Sequence, residues 1–147
     1  MVKNANTVVL GIGFANLVSA SGKPCIIVAN VDGVRIAGIL LQAGPVESSS
    51  LLQWGTGHYA GNPAAPGVLS DVFARVGGMN DSSKTNMTTK TMVTLNSGHL
   101  IYDNTWLWRA DHDVQGSVVD SHNPVPNGLI VNGDDVIAYG LAVEHCL

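Results

Sequence analysis

Short apolar runs punctuated by glycine, asparagine and aspartate recur along the whole chain. They lie at Thr7–Leu10, Cys25–Val28, Val34–Leu41, Leu51–Trp54, Val68–Val76, Met92–Leu95, Leu100–Trp108, Gly128–Val131 and Val136–Val143. Runs of this length bounded by turn-forming residues read as β-strands. Two stretches, 55–67 and 77–90, are polar, turn-rich and without pattern, and are expected as loops leaving a regular body. The apolar run from Val8 to Val18 follows Lys3 and precedes Ser19-Ala20-Ser21-Gly22, the outline of a signal peptide. Gly11, Gly13 and Asn16 interrupt it, so a strand with glycine turns is the preferred reading. No apolar stretch approaches the ~18 residues that cross a bilayer as a helix, and no membrane partner is expected.

The pattern also repeats itself. Val28 to Ile39 lays over Ile130 to Leu141 without a gap, with Asn30 on Asn132, Asp32 on Asp134, Val34 on Val136 and Gly38 on Gly140. A weaker copy runs from Asn96 to Thr105 and brings Asn96 and Asn104 to matching points. Such a unit reads as strand, asparagine-bearing turn, strand, bend. Stacked along an axis, equivalent strands pair from coil to coil and their inward apolar residues merge into one core. The predicted fold is therefore all-β, a right-handed parallel β-helix. Asn127-Gly128 and Asn132-Gly133 are hairpin signals and keep a β-sandwich as the alternative; the repeat favours the β-helix.

That architecture makes the two ends informative. The chain closes on Leu147 directly after a strand-like run, so the expectation for residues 1–147 is one uncapped β-helix domain, or a portion of a longer one. Open solenoid ends would then associate with another copy or with further coils. Cys25 falls in an early coil and Cys146 in the last. At ~4.8 Å per coil they are too far apart to bridge, which predicts two free thiols.

Composition sharpens this picture. The 147 residues include 19 Val, 8 Ile and 8 Thr but two glutamates and four lysines, so charged helix formers are nearly missing. Twelve asparagines and 17 glycines supply the positive-φ residues that frequent turns demand. Seven basic residues against eleven acidic ones give a net charge of -4, and no basic cluster is present to attract a nucleic acid. The triplets Asn80-Asp81-Ser82 and Asn86-Met87-Thr88 match glycosylation acceptors, which points to an extracellular protein.

Functional residue types are densest from Tyr102 to Asp113. On a strand Trp106 and Trp108 share one face, while Leu107, Arg109 and Asp111 alternate to the other, and both sets cannot be buried. Exposed, the indoles would stack on sugar rings with Arg109, Asp111 and His112 offering hydrogen bonds to hydroxyls. Buried, they would be core, with Arg109 and Asp111 a surface ion pair.

Several long strings carry a family resemblance: Val31-Asp32-Gly33-Val34, Ala43-Gly44-Pro45, the stretch from Leu69 to Gly78, Trp106-Leu107-Trp108-Arg109-Ala110-Asp111-His112, and Asn127 through His145. From about Asn6 to His145 the chain resembles the pectin-lyase-fold proteins similar to β-1,3-glucanases built of two β-helices. The resemblance implies a pectin-lyase-like solenoid acting on or binding a β-glucan-like polysaccharide, as a glycoside hydrolase. Members of that kind are far longer and continue past the counterpart of Glu144-His145. A glycoside hydrolase needs two carboxyl groups across the scissile bond. Glu144, in an apolar strand beside His145, is the candidate acid and Asp111 its candidate partner, with Asp71 and Asp103 as substitutes. Trp106, Trp108, Arg109, His112 and His145 are the candidate substrate contacts. Asp32 and Asp134 fit the turns of the repeat.

Other chemistries lack their patterns. The five histidines are scattered, Asp111-His112-Asp113 lacks a metal-ligand spacing, and no metal or cofactor is expected. There is no Gly-x-Ser-x-Gly elbow, and Gly11-Ile12-Gly13 lacks the third glycine of a nucleotide loop. The alternative from another class is a non-catalytic structural β-helix that self-assembles through its ends.

Overall fold

A computed structural model describes residues 1–77, 86–111 and 122–147. Nine strands form among them: β1 (Val8–Ser19), β2 (Ile26–Val28), β3 (Arg35–Ala43), β4 (Leu52–Tyr59), β5 (Gly67–Val76), β6 (Thr91–Ser97), β7 (Leu100–Arg109), β8 (Asn127–Val131) and β9 (Ile137–Glu144). Each of the nine apolar runs supplies one of them. The odd-numbered strands make one sheet in the order β1-β3-β5-β7-β9 and the even-numbered ones a second, β2-β4-β6-β8. Every neighbouring pair is parallel. Consecutive strands thus alternate between two sheets and pair with their equivalents one coil away, which is a parallel β-helix and excludes a hairpin-built sandwich.

Register stacks like residues. Ile36, Leu69 and Tyr102 form one inward row, and Leu41, Ala74 and Leu107 another; all are buried. Across the core Val28, Trp54 and Leu95 form a third, with Trp54 fully enclosed. The aligned residues of the repeat occupy the two turns. Gly38, Asp71, Asn104 and Gly140 fall opposite one another, and their φ angles of 68°, 52°, 49° and 56° are all left-handed. This column bends each long strand at the same level, and glycine, asparagine and aspartate hold it because larger side chains collide there. The Asn104 amide donates to Asp71 across adjacent coils. At the other turn the Asn96 amide donates to the Gly55 carbonyl at 3.0 Å, the Asn132 amide donates to Asn96 Oδ1 at 2.8 Å, and Asn30 Oδ1 accepts the Thr56 N–H at 2.9 Å.

Two expectations shift. The segment 55–59, expected as loop, continues β4 to Tyr59, because these asparagines satisfy its backbone and the register slips between Trp54 and Tyr59. β1 runs on to Ser19 through an irregularity between Leu10 and Ala15. Most of the expected 77–90 loop lies outside the described residues, as does Asn80-Asp81-Ser82. Cys25 and Cys146 are free thiols, and burial pushes both pKa values up. The edge strands keep apolar side chains in solvent: Leu10, Ile12 and Phe14 on β1, and Ile137, Tyr139 and Leu141 on β9.

Candidate functional site

The second halves of β3, β5, β7 and β9 lie beyond the left-handed bend, and alternation gives them one inward and one outward row. Leu107 points into the core with Leu41 and Ala74, so Trp106 and Trp108 point outward. Leu40, Phe73, Trp106 and Ala142 make one outer row; Gln42, Arg75, Trp108 and Glu144 make the next. The two indoles stack with centroids 4.8 Å apart and planes 20° from parallel. They wall a groove of about 310 Å³ lined also by Phe14, Leu40, Phe73, Ala74 and Arg75. That volume sits at the lower end of the ~300–1,000 Å³ usual for ligand pockets.

The two tryptophans do different work. Trp106 is 37% exposed and offers a free aromatic surface to the groove. Trp108 is only 9% exposed: the Arg75 guanidinium sits 5.0 Å from its ring centre, Trp106 stacks on it, and its Nε1–H donates to Asp111 Oδ1 at 3.3 Å. Trp108 is thus a fixed backing for Trp106 rather than a second exposed platform.

Asp111 follows the end of β7. Its other oxygen, Oδ2, lies 3.2 Å from His145 Nε2, so one carboxylate ties Trp108 to the residue after β9. Glu144 is the Cα partner of Trp108, shares its outward parity and is exposed. Structure therefore brings Trp106, Trp108, Asp111, Glu144 and His145 together. Asp71 and Asp103 lie apart from them, at the bend. His112 lies outside the described residues.

Arg109 requires a correction. It is 1% exposed and points into the coil, where its guanidinium donates to the carbonyls of His122 at 2.8 Å, Asn123 at 3.1 Å and His145 at 3.4 Å. A side chain so engaged cannot also reach a sugar in the groove; it clasps the 122–123 segment and the end of β9 to β7. It has the parity of Leu107, which is buried, and that shared parity is the physical reason it is enclosed.

The sequence reading missed Phe14, Leu40, Phe73 and Arg75. Phe73 and Arg75 carry the signal that could have found them, since they are the register partners of Trp106 and Trp108 one coil earlier. Phe14 has no such signal.

The profile of the LAM55 pectate lyase-like domain matches residues 1–147. An exo-beta-1,3-glucanase of Streptomyces sp. (strain SirexAA-E / ActE) is 42% identical over 145 residues, covering 98% of this chain and 23% of the relative. Two solved structures of sacteLam55A from Streptomyces sp. SirexAA-E, one of them of a variant in complex with glucose, superimpose with a TM-score of 0.78 at 40% identity. The match covers 92% of this chain and 24% of those chains, so the chain spans about a quarter of the length of the relatives it matches.

Proposed function

Because the chain belongs to the LAM55 pectate lyase-like domain family, we propose that it is a carbohydrate-active β-helix that binds and hydrolyses a β-1,3-linked glucan along the outer groove. The observation that carries this reading is the exposed Trp106 face, rigidly backed by Trp108, with Glu144 the register partner of Trp108 on the next strand. A pyranose has an apolar C–H face and a polar edge, and an immobilised indole accepts the first while leaving the second to nearby polar groups. Hydrolysis needs a carboxylic acid to protonate the departing glycosidic oxygen. Glu144 is the side chain assigned to that role. Asp111 is the second carboxyl that hydrolysis needs, and its contacts with Trp108 and His145 fix its orientation. A polymeric glucan is met outside the cell, and an extracellular location goes with this reading.

The test is release of reducing ends from a soluble β-1,3-glucan by the full chain and by Glu144→Gln. Loss of a general acid costs ~10²–10⁴-fold in rate, so release should fall at least a hundredfold while glucan binding persists. Unchanged release by Glu144→Gln removes Glu144 from the mechanism, and neither binding nor release by the unmodified protein overturns the reading. A structural, self-assembling module is the second reading. It is favoured by the apolar side chains on β1 and β9, and sedimentation velocity would reveal it as association that grows with concentration.

A further inference from the structure

The wall of the groove opposite the tryptophans is built in an unusual way. β1 places four residues, Gly11 to Phe14, between Leu10 and Ala15, where β3 has Gly38 alone between Ala37 and Ile39. The surplus must leave the sheet. Its root is tight, since a Cβ on Gly11 would lie 2.1 Å from the Gly38 carbonyl oxygen, and its crest at Gly13 has no neighbouring atom within 4 Å of such a Cβ. The arch ends on Phe14, a bulky residue held at a left-handed φ of 62°. Its ring reaches beyond β3 to meet Phe73 of β5 at 5.3 Å and 53°, yet Phe14 stays 46% exposed and lines the same groove as Trp106.

We infer that Phe14 is a specificity-determining residue: an aromatic finger that contacts the sugar ring next to the one stacked on Trp106. This rests on the glucan reading above. The Phe14 ring centre lies 5.3 Å from that of Phe73, and Phe73 is the strand neighbour of Trp106, so Phe14 and Trp106 flank Phe73 from opposite sides and two successive rings laid along the groove would meet them in turn. The lining between them, Leu40 and Phe73, is apolar and suits C–H faces. A left-handed phenylalanine is costly where packing alone is served, and such strain gathers at ligand clamps.

The test is calorimetric titration of the full chain, Phe14→Ala, Phe14→Gly and Trp106→Ala with glucose, the β-1,3-linked glucose disaccharide and the pentasaccharide. Trp106→Ala should weaken all three ligands at least tenfold. Phe14→Ala should leave glucose affinity within twofold and weaken the disaccharide and pentasaccharide about fivefold or more, erasing the gain from the second ring. Phe14→Gly suits the left-handed backbone, so it secures the fold and should reproduce the Phe14→Ala pattern with a wild-type circular dichroism spectrum. Disaccharide affinity unchanged in both Phe14 variants while Trp106→Ala loses it would overturn the finger and leave the glucan reading standing. Absence of saccharide binding in the unmodified chain would overturn both.

Discussion

Replacing Arg109 by methionine separates two roles that residue could have. As a sugar contact, its loss would weaken glucan binding and leave the fold untouched. The observed geometry demands the reverse. The guanidinium is enclosed and satisfies the carbonyls of His122, Asn123 and His145. A hydrogen bond from a charged donor contributes about 1.5–3 kcal/mol, and a buried carbonyl stripped of its donor keeps its full desolvation cost. Two short bonds and one long one put the loss at about 4 kcal/mol, in the range found when one partner of a buried charged contact is removed. Methionine approximates the stem of arginine, so little of this is cavity. For a chain of this size each kcal/mol moves Tm by ~2–4 °C, and Arg109→Met should unfold about 10 °C lower. Lysine should recover only part, because a single ammonium cannot fork to three carbonyls. Thermal unfolding followed by circular dichroism is the assay. A Tm within 2 °C of the parent, accompanied by lost glucan binding, would refute the clasp and restore the surface role.

Three further outcomes follow from the same geometry. Asn104→Val forces a β-branched residue into the left-handed column and should cost about 2 kcal/mol in denaturant unfolding, whereas Asn104→Gly, which relieves φ but loses the bond to Asp71, should stay within about 0.5 kcal/mol. Tyr59, by donating to the Asp32 carboxylate, and Tyr102, by burial, ionise above the usual ~10; the stability gained by keeping them neutral is present below pH ~10 and lost as pH rises through their raised values, so an absorbance titration should show late phenolate formation coinciding with alkaline unfolding. Mass spectrometry after iodoacetamide at pH 7 should show slow alkylation of the native chain and two rapid additions in denaturant, since burial suppresses both thiolates.

The strand pattern was legible because each apolar run is short and ends in a turn residue, and the repeat was legible because a left-handed bend admits few side chains. Gly38 and Gly140 therefore coincide in sequence and in space. The facing of the outer groove was harder to read. Alternation sets Trp106 and Trp108 against Leu107 and Arg109, but Leu40 and Leu41, like Phe73 and Ala74, are apolar on both parities, so hydropathy cannot choose the inner face. Only register, with Leu107 on Ala74, decides it. Phe14 was illegible for another reason: the arch exists only as a mismatch between β1 and β3, and no single strand carries that information.

The unequal coils have a mechanical consequence. From Val8 to its partner Arg35 is 27 residues, from Arg35 to Val68 and from Val68 to Ile101 is 33 each, and from Ile101 to Ile137 is 36. The inter-coil hydrogen bonds point along the stacking axis, so tension along that axis opens the ladders one coil at a time, from an edge inward. Each rupture frees a length set by its own loop, about 90–130 Å at ~3.3–3.6 Å per residue. A stretched chain should therefore yield as a staircase of unequal steps, and the spacing of those steps would measure the loop lengths directly.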